Sequence, residues 1–242
     1  MRRITLGDLN LSAIDRDDGD VRYIYDEVFG TQIYHHARMR VPERPTIVDV
    51  GANIGIYALW AQRRYRPRAI YCYEASPRTF ACLKDNVTRL VDPRVTTVVA
   101  FNRAIAGTAG RKLMLHQSTR ISGISTLLEP SKVGWIAKAA AEDTLEMHKV
   151  MTSTLSTELA ANGLAAVDIL KIDVEGYFLE VLKGIAPADQ GKIRNIVAEV
   201  DYLPETGIRA DEAEIMLRAM GYETDYLDRT QQNNLTLYAW RR

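Results

Sequence analysis

The chain has 242 residues, of which 31 are basic, 31 acidic and 47% hydrophobic. That length suits one full α/β domain with modest additions. The cancelled charge offers no electrostatic footprint for nucleic acid, and no apolar run reaches membrane-spanning length.

In chain order, Ile4–Ile14 is strand-like and leads through a polar turn to an aromatic stretch, Tyr23–Tyr34, closed by Pro42 and Pro45. His35–His36 reads as a surface pair, with no third ligand at metal-site spacing. Thr46–Val50 is β-branched and favours a buried parallel strand. Gly51-Ala52-Asn53-Ile54-Gly55 then makes a tight turn, and an amphipathic helix follows at once. Ala69–Glu74 is a second strand closed by an acid. Pro77–Leu90 is a helix with Pro77 in its first turn and Phe80, Leu83, Val87 and Leu90 on one face. Arg94–Phe101 is a third strand, and Lys112–His116 a short extra one beyond the turn Ala106–Gly110. The insertion 117–151 contains Gly123–Leu128 and an alanine-rich helix predicted over Trp135–His148. Asp168–Ile172 is the fourth strand, Tyr177–Ile185 the helix behind it, and Lys192–Val200 the fifth strand. Ala210–Met220 is amphipathic and stops at Gly221. Tyr222–Leu227 and Leu235–Trp240 close the chain as a hairpin. Cys72 and Cys82 read as free buried thiols of a reducing compartment. The start MRRITLGDLN lacks the apolar core of a secretion signal, so a cytoplasmic protein is expected.

The most telling stretch is TIVDVGANIGIYALW, Thr46–Trp60. A strand, a glycine turn and a helix in succession build a nucleotide pocket at the carboxyl end of the first strand. The G-x-N-x-G spacing differs from the G-x-G-x-x-G of dinucleotide sites and points to a smaller adenosyl ligand. Glu74, 23 positions after Gly51, suits the ribose hydroxyls. Alternatively, the glycines serve an ordinary strand-to-helix connection and Glu74 is merely solvated.

VDVGANIG, YCYEASP, LKIDVEGYFLEVLKG and NIVAEV together resemble the FkbM-type S-adenosylmethionine-dependent methyltransferases, from about Thr46 to Val200. The DVEG tetrapeptide followed by L-K-G is the most specific part. The resemblance implies a class I (Rossmann-like), doubly wound α/β sheet of about seven strands, the last antiparallel. It also implies S-adenosylmethionine as cofactor and O-methylation of a polyketide, peptide-like or sugar acceptor, small or carrier-bound. Residues 1–45 would pack over the cofactor, with Tyr25, Phe29 and Tyr34 either lining it or packing in the core. Residues 46–242 would form the methyltransferase domain, with 117–151 a lid or an inert outer segment.

The expected cofactor residues are Asp49, Gly51, Ala52, Asn53, Gly55, Glu74, Ala75, Ser76, Asn102, Ala104 and Asp173. An aliphatic hydroxyl also needs a base or a metal as it attacks. Asp173, Glu175 and Glu199 follow adjacent strands and would share one rim as catalytic acids; Asp201, His116 and His148 are further candidates. The acids could instead hold Mg²⁺. In a purely structural role, Asp173 would cap the next helix and Glu175 would pair with Lys171 or Arg194. Two other classes stay open, an NAD(P)-dependent oxidoreductase and a non-catalytic module that keeps the fold. Nothing in the sequence sets the oligomeric state.

Overall fold

The computed structural model describes residues 1–129, 141, 145–201, 210–229 and 234–241. Seven strands form the central sheet: β3 (Thr46–Val50), β4 (Ala69–Glu74), β5 (Thr97–Asn102), β10 (Val167–Ile172), β11 (Ile193–Asp201), β12 (Glu223–Arg229) and β13 (Asn234–Trp240). Their order is β12-β13-β11-β10-β3-β4-β5. β3, β4, β5, β10 and β11 run parallel, and β13 is antiparallel to both of its neighbours, as the sequence led one to expect.

Alternation along the strands divides the core in two. Ile47, Ile70, Cys72 and Ile169 face helices α2 (Ile56–Tyr65) and α3 (Pro77–Leu90). Val48, Val50, Leu170 and Ile172 face the other layer, which contains α4 (Leu155–Ala161), α5 (Phe178–Lys183) and α7 (Ala210–Ala219). A short helix, α6 (Pro187–Gln190), precedes β11. Successive strand residues point to opposite faces, so a fully buried strand carries apolar side chains both ways. Cys72 and Cys82 are free and buried.

Three expectations need correction. The strand-like start is a hairpin, β1 (Arg2–Leu6) and β2 (Leu9–Ala13), because Gly7 at φ +57° permits a tight reversal. Helix α2 is not amphipathic in its first half. Ile56 through Ala61 are all buried, since the N-terminal segment places Val28, Ile33 and Tyr34 in the same cluster. That segment runs through α1 (Gly19–Tyr25) into one π-helical stretch, Asp26–Thr31.

The third correction concerns the insertion. The described part of the predicted helix Trp135–His148 is Ala141 and Leu145–His148, and Leu145–His148 is strand. It opens β9 (Leu145–Ser153), which pairs antiparallel with β7 (Lys112–Ser118) along its whole length. With β6 (Ala104–Ile105) and β8 (Ser125–Thr126) they make a second sheet, β6-β9-β7-β8. Pairing with β7 satisfies this backbone in extended form, and the alanine-rich run upstream lies outside the described residues. No helix among the described residues is long and apolar enough to cross a membrane.

Candidate active site

At the carboxyl ends of β3, β4 and β10 lies a cavity of about 440 Å³. The turn after β3 forms its floor. Gly51 sits at φ +77°, and a Cβ built there would lie 1.7 Å from the carbonyl oxygen of Asp173. Only glycine lets these two loops touch. Gly55 at φ +93° starts α2 and packs against Leu83.

Glu74 ties the turn after β3 to the start of α3. Its Oε2 accepts the Asn53 backbone N–H at 2.9 Å and its Oε1 accepts that of Ser76 at 2.8 Å. Burial pushes this carboxyl up to about 7, and the two N–H donors only partly oppose that rise. Each oxygen keeps a lone pair for a ligand hydroxyl. The Asn53 side-chain oxygen lines the same space, buried and without a partner.

The opposite wall is built on a charge inside the sheet. Lys171, 3% exposed, stands in the buried strand VDILKI. Its Nζ donates to the Gly51 carbonyl at 2.8 Å and lies 3.2 Å from Asp49 and 3.3 Å from Asp173. Burial alone would lower the Lys171 pKa, but the two carboxylates outweigh it and raise it. Asp49, fully buried, is pushed up by burial, and Lys171 partly restrains that rise. The Tyr34 hydroxyl donates to Asp173 Oδ2 at 3.0 Å. Burial, then the charges of Asp173 and Glu199, hold that phenol far above its ordinary pKa, so it stays a donor.

Of the expected cofactor residues, Gly51, Ala52, Asn53, Glu74, Ala75, Ala104 and Asp173 line the cavity. Asp49, Gly55, Ser76 and Asn102 sit just behind it. Ser76 caps α3 by accepting the Thr79 N–H. The Asn102 amide clips the carbonyls of Glu74 and Ala75 at 2.9 and 3.0 Å. Asp173, Glu175 and Glu199 all line the cavity. Asp173 does not cap α5, whose first turn has no side-chain cap, and Lys171 pairs with Asp49 and Asp173 rather than Glu175. Arg194 approaches Asp168. His148 lies beside Glu146 and is not part of the lining, and neither is His116. The Asp201 side chain is outside the described set.

Tyr23, Ile24 and Tyr34 form part of the wall, whereas Tyr25 and Phe29 stack on each other at 4.6 Å. From the second sheet come Leu115, Ser125 and Thr126, joined by Ser122 and Gly123. The Thr126 hydroxyl donates to the Glu175 carbonyl at 2.7 Å. Glu175 itself is left-handed at φ +47°, followed by Gly176 at φ +83°. Sequence reasoning gave Lys171 no more than a counter-charge role and did not single out Arg103, Tyr57 or Ser122. A lone cation within a buried strand was the available signal.

A mixed sheet in this order with β13 antiparallel, a glycine turn under its first core strand and an acid closing the second define a class I methyltransferase. The sequence profile described as the methyltransferase FkbM domain matches residues 49–224. The chain belongs to that family and is an S-adenosylmethionine-dependent methyltransferase. It is similar to methyltransferase sdnD of Sordaria araneosa, 29% identical over 222 residues covering 84% of this chain and 83% of that one. It is also similar to the 31-O-demethyl-FK506 methyltransferase FkbM of Streptomyces tacrolimicus, 30% identical over 200 residues and 75% of each chain. Among solved structures, magnesium protoporphyrin IX methyltransferase from Synechocystis PCC 6803 aligns over 98% of this chain and 87% of its own. The TM-score is 0.49 and the identity 12%.

Proposed function

We propose that this enzyme methylates a hydroxyl oxygen of a small natural-product acceptor, free or carrier-bound. One observation carries the reading: a single cavity is lined by Gly51, Ala52, Asn53 and Glu74 and also by the acids Asp173, Glu175 and Glu199. The oxygen in the Streptomyces relative's name supports the choice of acceptor atom.

Bound S-adenosylmethionine supplies an electrophilic methyl group with a neutral thioether as leaving group, so the chain's task is largely orientation. Glu74 holds the ribose hydroxyls, and Gly51, Ala52 and Asn53 shape the floor beneath the methionine portion. Both partners of Asp173 engage Oδ2, which fits an orienting group better than a proton acceptor. Glu175 and Glu199 are assigned the acceptor's proton as the C–O bond forms. Residues 1–45 cover the cofactor, and β7–β8 shape the acceptor's side.

Nothing in the donor set favours Mg²⁺. The Asp173 carboxylate already faces an ammonium, and no group of three His, Cys, Asp or Glu among the described residues is placed to hold a metal ion.

The test incubates the enzyme with S-adenosylmethionine and a panel of hydroxylated acceptors, reading a 14-dalton gain (one CH₂) by mass spectrometry. Glu199→Gln and Glu175→Gln are expected to lower kcat by about 10²-fold or more for whichever carboxylate takes the proton, with KM for cofactor little changed. Wild-type turnover in both variants removes the acid assignment. Thermal-shift titration showing stabilisation by NAD(P) but not by S-adenosylmethionine overturns the whole reading.

A further inference from the structure

The group of Asp49, Lys171 and Asp173 is unusual in its charge. Two carboxylates share one ammonium, 3.2 and 3.3 Å away. Asp49 and Lys171 are 0% and 3% exposed. The ammonium's remaining bond goes to the neutral Gly51 carbonyl, and the Tyr34 phenol adds no charge to Asp173. With all three ionised, the group carries one net negative charge, and it touches the cavity through Asp173 and Lys171. The Asp173 side chain is 27% exposed, so solvent screens this charge in part, yet it acts on its neighbours more strongly than one in bulk water.

We infer that this unbalanced charge makes the enzyme select its cationic cofactor over the neutral thioether product. The inference rests on S-adenosylmethionine being the cofactor. The two ligands differ by one methyl group and one positive charge on sulfur. Contacts that both ligands make to Glu74, Asn53 and the floor cancel in the ratio of their affinities. What survives is largely the field at the sulfur, to which Asp49–Lys171–Asp173 contributes a fixed excess of one negative charge. The group would thereby favour product release after each turnover.

The test is calorimetry of S-adenosylmethionine, S-adenosylhomocysteine and sinefungin, which carries an amine where the sulfonium stands. Subjects are wild type, Asp173→Asn, Asp173→Glu and Tyr34→Phe. Asp173→Asn neutralises the group, so the preference for each cationic ligand over the thioether should fall at least fivefold. Asp173→Glu keeps the charge and should restore it. Tyr34→Phe removes a hydrogen bond but no charge and should move the ratio less than twofold. If Asp173→Asn fails to fold by circular dichroism, Asp49→Asn makes the same charge change, with the same expectation. Equal weakening of all three ligands by the neutralising variant overturns the inference while leaving the cofactor assignment standing. Failure of wild type to bind either sulfur ligand overturns the cofactor assignment itself.

Discussion

Glu74 carries two duties at once. It spans the Asn53 and Ser76 backbones, and it presents a carboxylate to the cavity. Glu74→Ala therefore leaves buried N–H donors without partners, at about 1–3 kcal/mol of stability, besides losing the ligand's acceptor. Calorimetry should show cofactor binding about tenfold weaker or worse, a step of roughly 1.4 kcal/mol. The pH response follows from the same side chain. The folded, ligand-free protein keeps the Glu74 proton up to about 7, whereas an ordinary glutamate releases it near 4.5. Between those values the native state binds more protons than the unfolded one. Stability from this group is thus complete below 4.5 and fades as pH climbs through 7. Diol donors favour the ionised form, so affinity should move the opposite way, rising from pH 6 to 8. Titrations in buffers of different ionisation enthalpy should register proton release at pH 6, and no release there would contradict the assignment. The sequence made Glu74 visible because it ends a strand at a telling distance from Gly51. Lys171 was harder to read, since its partners Asp49, Asp173 and the Gly51 carbonyl meet only once β3 and β10 are side by side.

Among the elements, the turn after β3 is the least tolerant of change. Gly51 combines a left-handed φ with an approach to the Asp173 carbonyl that no side chain can share. Gly51→Ala adds left-handed strain of about 1–3 kcal/mol to a backbone clash. Urea denaturation should show a loss above about 3 kcal/mol, or no folded protein at all. Unchanged stability would mean that the turn adopts another shape. The central strands were legible because a parallel sheet buries β-branched runs end to end and punctuates them with glycine and acids. Helix α2 misled because its outer face is covered by a segment more than 20 residues earlier in the chain. Leu145–His148 misled because its partner, β7, lies across the undescribed stretch, beyond the reach of local periodicity.

At the level of the molecule, Asn86 is a junction. Its side chain accepts the Ser12 N–H at 2.7 Å and donates to the Ser12 and Ile54 carbonyls at 2.9 and 2.8 Å. One buried amide thus joins the first hairpin, α3 and the turn under the cavity. Asn86→Ala leaves several buried backbone groups unsatisfied. It should cost about 2–4 kcal/mol and weaken cofactor binding although Asn86 touches no ligand. Denaturation and calorimetry on the same variant check both halves, and a variant as stable as wild type refutes the junction. None of this could be read locally, since an Asn on a helix looks the same whether it faces water or three backbone groups.

The N-terminal segment is held by bonds to distant parts of the chain. Asp15 accepts the Ser122 N–H, Tyr34 reaches Asp173, and Tyr238 donates to the Ile33 carbonyl, across 107, 139 and 205 residues. Contacts spanning such separations form late, after loop closure has been overcome. The stretch around Ile33 therefore gains its tie to Tyr238 only after the final hairpin has been made. A chain halted before Tyr238 would lack that tie together with the buried residues Tyr238, Ala239 and Trp240.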